Sequence, residues 1–249
     1  MVAPKVHIYG LGNVGYHLYL LLKKRELEIG FVFSDYNNEL GVETRKKTEI
    51  DRINQNDFVF ITTSDQKVID AIKEVGAYSE NIIITSGGIH MRELPQFVSV
   101  FYPLYSFSIY SDIDWSKVPV FLEYNNVVSK SFKKLLEKLQ LRCTFLNSDD
   151  RNKVHLAAVF VNNFTNANLI AAKEVLNHFR INKFEYLIPI LMQTAEKVLT
   201  NDPKYSQTGP AIRGDEDVIK HHIELLKSLD DEKDLYVLLS KYIRQKFNK

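Results

Sequence analysis

Gly10-Leu11-Gly12-Asn13-Val14-Gly15 follows the apolar run Val6-His7-Ile8-Tyr9 and opens the stretch Val14–Lys24, where Leu18, Leu21 and Leu22 recur at helical spacing. A strand, a glycine turn and a helix in that order form a β–turn–α unit. Gly10 permits the tight turn, Gly12 keeps a Cβ away from anything approaching the backbone, and Gly15 lets the helix lie close on the strand. The bare pattern G-x-G-x-x-G is weak, but between a strand and a helix it is strong. The free N–H groups and positive end of such a helix suit a pyrophosphate. Residues Gly10, Leu11, Gly12, Asn13, Val14 and Gly15 are therefore read as a dinucleotide site, for NAD or NADP. The competing reading is a ligand-free glycine turn. It is weakened because three of the chain's ten glycines fall in this hexapeptide.

Outward from this unit, strand-like and helix-like segments alternate. Lys5–Tyr9, Ile29–Ser34, Asp57–Thr62, Asn81–Thr85 and Phe97–Phe101 read as strands, and Gln66–Ala77 as a helix. Such alternation implies a parallel sheet with crossover helices. Val118–Glu123, Ser129–Leu139 and Arg142–Leu146 add a strand, a helix and a short strand at the far edge. Past residue 147 the pattern changes to four helices: Arg151–Phe179, Lys183–Thr200, Asp215–Ser228 and Asp231–Phe247. The first is apolar nearly all round, so it is expected to be wrapped on every side. The expected architecture is a doubly wound α/β nucleotide-binding domain, residues 1–147, then an all-helical domain, residues 148–249. The helical domain is expected to carry substrate contacts and a homodimer interface.

The ends of the second and third strands carry the other cofactor candidates. An acidic group after the second strand bonds the ribose hydroxyls of NAD and repels a 2′-phosphate. Asp35 suits that role. Ser34 beside it, and Arg45, Lys46 and Lys47 beyond, suit a 2′-phosphate instead, so the residues leave NAD and NADP both open. In open parallel sheets ligands lie outside the carboxyl ends of the strands. That makes Thr62, Thr63 and Ser64 candidate contacts, with helix capping by Ser64 or Asp65 as the other reading. Thr85-Ser86-Gly87-Gly88, after the fourth strand, has the same double reading.

Composition excludes several classes. With 249 residues, 45% hydrophobic and a formal net charge of +1, the chain has no bulk attraction to nucleic acid or membrane. Its one cysteine allows no internal disulfide framework. No long apolar leader-like run is present near residue 1, and the default expectation is a cytoplasmic protein. Leu156–Ala172 lacks charge but holds five Asn and Thr residues, which suits a buried helix better than a membrane span. His221 and His222 are adjacent, so on a helix they diverge, and no metal site is expected.

Four blocks taken together resemble a known family: Gly10–Gly15, Tyr102-Pro103-Leu104-Tyr105-Ser106-Phe107-Ser108, the run His155–Phe164, and Thr208-Gly209-Pro210-Ala211-Ile212-Arg213-Gly214-Asp215. The chain resembles the Rossmann-like NADP oxidoreductases that carry a helical C-terminal domain of unknown function. These are similar in architecture to pyrroline-5-carboxylate reductase, ketopantoate reductase and 6-phosphogluconate dehydrogenase. The resemblance implies a Rossmann domain followed by a 6-phosphogluconate-dehydrogenase-like helical domain, and a hydride transfer to or from a small polar substrate. The family usually has histidine where this chain has Tyr102, and often arginine where it has Asp35.

In the related dehydrogenases, polar residues of the long C-terminal helix face the nicotinamide. Here that helix offers Lys153, His155, Asn162, Asn163 and Asn166. At about 100° per residue, His155, Asn162 and Asn166 share a face with Asn163 at its edge. His155, with an ordinary pKa near 6.5, is a candidate proton donor to a carbonyl or imine. Asn163 is a candidate for orienting the substrate, and Arg213 for clamping a carboxylate. The plain readings are an interior histidine bonded to backbone and a structural Arg213–Asp215 turn. The alternative function is a non-catalytic dinucleotide sensor or scaffold.

Overall fold

The computed structural model describes residues 4–35, 40–124 and 130–247. Contacts divide the chain into two compact units, Met1–Asn162 and Asn163–Lys249. The first unit is built on a seven-stranded sheet: β1 (Val6–Tyr9), β2 (Ile29–Phe33), β3 (Phe58–Ile61), β4 (Asn81–Ile84), β5 (Val98–Pro103), β6 (Val120–Glu123) and β7 (Cys143–Phe145), in the order β2-β1-β3-β4-β5-β6-β7. β1 and β3 are buried along their whole length, as strands covered on both faces must be. Helices α1 (Asn13–Lys24) and α3 (Lys130–Leu139) bring Leu18, Phe132 and Leu135 into one core layer, while α2 (Asp65–Gly76) brings Val68 and Ile72 into the other. Helices on both faces make the sheet doubly wound. Ser129, the expected first residue of α3, lies outside the described residues.

The sheet is not parallel throughout. β1 to β5 are parallel, but β6 runs antiparallel to β5, and β7 then runs parallel to β6. The reason lies in the connection. A parallel neighbour needs a crossover back to the starting edge, normally a helix. Between Pro103 and Val120 the described helical structure is only the short 3₁₀ turn Trp115–Lys117.

Chain crossing divides at β1: the chain goes from β1 outward to β2, then returns to place β3 on the other side of β1. In sheets of this type that reversal leaves a crevice at the strands' carboxyl ends. Two polar residues are locked inside the same sheet. His7 is 1% exposed and its Nε2 lies 3.0 Å from Asp57 Oδ2, while the Phe31 N–H donates to its Nδ1 at 2.8 Å. Asp57 also accepts the Lys5 and Asn54 backbone N–H groups. The Phe31 bond requires an unprotonated Nδ1, which leaves the proton of the neutral ring on Nε2, facing the carboxylate. Burial lowers the His7 pKa, outweighing the opposing pull of Asp57.

The expected helix Arg151–Phe179 differs in three ways. It starts earlier, as α4 (Ser148–Ala158), because the Asn147 side chain accepts the Asp150 N–H at 2.9 Å and caps it. It passes through a π-helical segment, Val159–Phe164, before continuing as α5 (Thr165–His178). It is also not wrapped on all sides within the chain, since Leu156, Phe160, Val161, Phe164 and Ile170 are exposed. Beyond it come α6 (Ile188–Thr200), α7 (Pro203–Ser206), α8 (Pro210–Arg213), α9 (Glu216–Leu225) and α10 (Asp230–Phe247). α8 turns part of the expected Gly209–Asp215 loop into one helical turn, closed by Gly214 at φ +74°. Among the described residues no helix is long and apolar enough to cross a membrane.

Candidate functional site

At the crevice, the glycines do three separate jobs. Gly10 sits at φ +111°, a region that favours glycine, and its N–H donates to Phe33 O at 2.9 Å. Gly15 is in the first turn of α1, where a Cβ would stand 2.2 Å from Gly10 O and 2.7 Å from Thr62 Oγ1. Only glycine lets the helix lie this close. Thr62 fixes the turn from the other side, its hydroxyl donating to Gly10 O at 2.6 Å. Gly12 differs: a Cβ there meets nothing within 4 Å. Its lack of a side chain serves the open space in front of it, not the packing behind.

That open space has the chemistry of an anion site. Gly12 is the N-cap of α1, makes no side-chain capping bond, and no acidic residue stands in the first turn. The first N–H groups of a helix have no internal partner and carry the positive end of its dipole. Gly12 and Asn13 are exposed, while Leu11 and Val14 pack on the core. Thr63, just past β3, holds a buried Oγ1 with no hydrogen-bond partner. Buried hydroxyls are normally satisfied, so this one fits a ligand oxygen. Ser64 occupies the N-cap position of α2 but makes no side-chain capping bond. Open backbone at Gly12, an uncapped helix end and an orphaned threonine fit a dinucleotide's phosphates.

The end of β2 is a charged corner. Asp35 Oδ2 is paired with Lys47 Nζ at 3.0 Å. Ser34 is buried, and its N–H donates to Arg45 O at 2.9 Å, while the Arg45 N–H donates to Val32 O at 2.8 Å. The Arg45 backbone therefore extends the sheet edge beside Phe33.

A third group lies at the carboxyl end of β5. Tyr102 Oη and His155 Nδ1 are 2.8 Å apart, with the rings edge to face. Burial pushes the Tyr102 hydroxyl above its ordinary pKa, and Asp65 adds to the rise. The phenol thus stays protonated and donates to Nδ1, leaving the neutral imidazole's proton on Nε2. Tyr102 is buried and His155 exposed, so the histidine presents the outer face of the pair. Gly87 makes room for it: a Cβ there would stand 2.7 Å from Tyr102 Cζ. Gly87 is in turn held by Arg151, which is 0% exposed and donates from Nε to Gly87 O at 3.2 Å, from Nη1 to the Glu123 carboxylate and from Nη2 to Ile89 O. Glu123 also accepts the Ser148 N–H and hydroxyl at 2.8 and 2.9 Å. This network ties α4 to β6 and to the loop after β4, and so sets the register of His155 against Tyr102.

The candidates from the helical region are dispersed. The arithmetic that put His155, Asn162 and Asn166 on one face assumes 3.6 residues per turn throughout. The π segment Val159–Phe164, with its wider turn, breaks that phase, so the shared stripe does not hold. His155 belongs to the first unit; Asn163, which is exposed, and Arg213 belong to the second. Arg213 grips its own turn, with Nε and Nη2 at 2.9 and 2.8 Å from Asp215 Oδ2. Among the described residues no group of three or more His, Cys, Asp or Glu side chains is placed to hold a metal ion. Sequence reasoning missed Glu123, Ser148 and Arg151. No local signal marked them: Arg151 sits among Asp149, Asp150, Asn152 and Lys153, in a helix start that reads as an exposed polar turn.

A doubly wound sheet with a glycine turn at its switch point and a helical C-terminal region defines a Rossmann-type nucleotide-binding protein. Residues 118–243 match the model of a domain of unknown function, DUF2520, and the chain belongs to that family. It is similar to a candidate NADP oxidoreductase of Bacteroides fragilis, at 29% identity over 97% of this chain and 98% of that one, with a TM-score of 0.85. The fold is also shared with a protein of Thermotoga maritima (19% identity, 96% and 97% covered, TM-score 0.67). It is shared likewise with an imine reductase of Myxococcus stipitatus solved with NADP⁺ (13% identity, 97% and 93% covered, TM-score 0.66). No protein of curated function matches the chain.

Proposed function

We propose that the chain is an NAD(P)-dependent oxidoreductase acting on a small polar substrate. The observation that carries this reading is the glycine turn, where Gly15 is forced by packing and Gly12 is left open. The likeness to the Bacteroides fragilis protein, named for NADP oxidoreductase activity, supports it. A bound nicotinamide dinucleotide supplies or accepts the hydride. The chain's own part is to hold and to move a proton. The turn and the first N–H groups of α1 hold the pyrophosphate, and Thr63 Oγ1 offers a further hydrogen bond in the same crevice. Tyr102 holds the His155 ring, whose imidazolium form gives its Nε2 proton to the substrate heteroatom as hydride reaches its carbon and is left neutral, with the remaining proton on Nδ1 donated to Tyr102 Oη. Asn163 as a substrate-orienting amide and Arg213 as a carboxylate clamp, aligned by Asp215, are separate proposals carried by the second unit alone.

The test is titration with NADPH and NADH, followed by cofactor fluorescence. Because nothing lies within 4 Å of a Cβ at Gly12, Gly12→Val keeps the fold but fills the phosphate space. The expected result is saturable binding to the wild type, and loss of roughly a hundredfold in Gly12→Val, the worth of two charge-assisted hydrogen bonds. No binding at millimolar cofactor overturns the proposal. Binding without turnover across a panel of carbonyls and imines favours the sensor reading instead.

The protein is also proposed to act as a homodimer through its C-terminal helices. Among the described residues of the second unit the buried ones are Ala211, Ile219 and Leu226, while Ile190 is 63% and Leu199 83% exposed. So much uncovered apolar surface calls for a partner, and a second copy supplies the same surface. Light scattering should give twice the 28.9 kDa chain mass. A monomer at micromolar concentration would sink this expectation.

A further inference from the structure

Asp35 has the position of the acid that makes a Rossmann domain choose NAD. Such an acid works through a bare negative charge, which bonds the ribose hydroxyls and repels a 2′-phosphate. In this protein the charge is not bare. Lys47 Nζ lies 3.0 Å from Asp35 Oδ2. The ammonium also sits 4.8 Å from the centre of the Tyr9 ring, a cation–π contact that keeps it at the foot of β2. The Tyr9 ring is itself buried, and its hydroxyl donates to Glu74, so the platform under Lys47 is fixed. The lysine is 20% exposed against 54% for Asp35, which makes it the better-held member of the pair.

The segment that delivers Lys47 delivers two more cations. Two backbone hydrogen bonds clamp Arg45 to the edge of β2, one to Val32 O and one from the Ser34 N–H. Its guanidinium pairs with Glu43 at 3.0 Å, a carboxylate that is 83% exposed. A pair that open to water is worth at most about 1 kcal/mol, so a phosphate displaces Glu43 at little cost. Lys46, between the two, is exposed. No basic residue directly follows Ser34; the positive charge comes instead from a strand-edge segment that returns to the same corner.

We propose that this corner selects a 2′-phosphorylated dinucleotide over its unphosphorylated form, with Lys47 cancelling Asp35 and with Arg45 and Lys46 engaging the phosphate. The proposal rests on the dinucleotide-binding reading above, and it names the determinant as Lys47, not the residue that follows β2. A 2′-phosphate carries a charge approaching −2 near neutral pH. It meets two ion pairs, Lys47–Asp35 and the open Arg45–Glu43, and the exposed Lys46, not a lone carboxylate.

The experiment is equilibrium calorimetry with NADP⁺, NAD⁺, 2′,5′-ADP and 5′-AMP, on the wild type, Lys47→Gln, Asp35→Asn and the double variant. The wild type should bind NADP⁺ at least about tenfold more tightly than NAD⁺, the scale of one charge-assisted hydrogen bond. The preference for 2′,5′-ADP over 5′-AMP should be of the same size. Lys47→Gln bares Asp35. It should weaken NADP⁺ binding by roughly tenfold or more while NAD⁺ affinity holds or rises. Asp35→Asn should not weaken NADP⁺, and the double variant should recover most of what Lys47→Gln lost. Equal wild-type affinities for the two dinucleotides, or a preference for NAD⁺, overturn the proposal and leave dinucleotide binding intact. An equal loss for both in Lys47→Gln overturns it too, since Lys47 then only supports the fold. Failure of every nucleotide to bind the wild type overturns the dinucleotide reading itself.

Discussion

Replacing Arg151 with methionine keeps the length and much of the apolar stem of the side chain, and removes its charge and its donors. Three acceptors lose their partner: the Glu123 carboxylate, Gly87 O and Ile89 O. Glu123 is 8% exposed and would keep only the Ser148 N–H and hydroxyl. Removing one side of a buried ion pair typically costs about 3–5 kcal/mol, because the stranded charge stays out of water. Two orphaned carbonyls push the figure toward the top of that range, against a total stability of about 5–15 kcal/mol for a typical protein. The assay is urea unfolding followed by circular dichroism, comparing midpoint and slope. The double variant Glu123→Gln with Arg151→Met strands no charge, and the amide oxygen of the new side chain can still accept from Ser148. It should regain at least about half of the loss. If Arg151→Met unfolds within about 1 kcal/mol of wild type, or if the double variant is no better than the single one, Arg151 does not anchor α4 in the way described.

Two further outcomes are expected. Burial holds the His7 pKa below its ordinary 6.5, so the folded protein favours the neutral ring; its contribution to stability is complete above that value and is lost as pH falls through the folded one. Asp57 follows lower down: burial raises its pKa, but the hydrogen bonds from His7, Lys5 and Asn54 outweigh this and hold it below 3.8, so its contribution is lost at more acid pH still. The urea midpoint should therefore fall on acidification from pH 7, and less steeply in His7→Gln; a midpoint that rises toward pH 5 contradicts this. For the Tyr102–His155 pair, Tyr102→Phe should move the His155 ring ¹⁵N resonances as Nδ1 loses its donor. Unmoved resonances would show that the hydroxyl does not set the tautomer.

The part of the fold legible in the sequence is the part encoded locally. Val6–Tyr9, the glycine turn and the leucines of α1 lie within one short stretch, and each carries its own spacing signal. The direction of β6 was not legible, because an apolar run such as Val120–Glu123 reads the same in either direction; only the connection decides. The π segment was invisible for a related reason: period arithmetic presumes the regular helix it is meant to find. The missed site contacts are long-range. Tyr102 and His155 are 53 residues apart, His7 and Asp57 are 50, and nothing local to any of these residues announces its partner. The Lys47–Asp35 pair was the near miss: both residues were noted, but their contact depends on a strand-edge pairing through Arg45 that spacing does not reveal.

The contact between Gly87 and the Tyr102 ring also constrains how this sequence can change. A methyl group at position 87 collides with the tyrosine ring at 102, standing 2.7 Å from Cζ, 2.8 Å from Cε2 and 3.1 Å from Cε1, so it demands a smaller or displaced side chain there. The two positions are therefore not independent. A lineage that acquires tyrosine at 102 must already have glycine at 87, and once tyrosine is in place the way to alanine at 87 is closed. Aligned relatives should show glycine at 87 wherever 102 is tyrosine, and alanine at 87 only beside a smaller side chain.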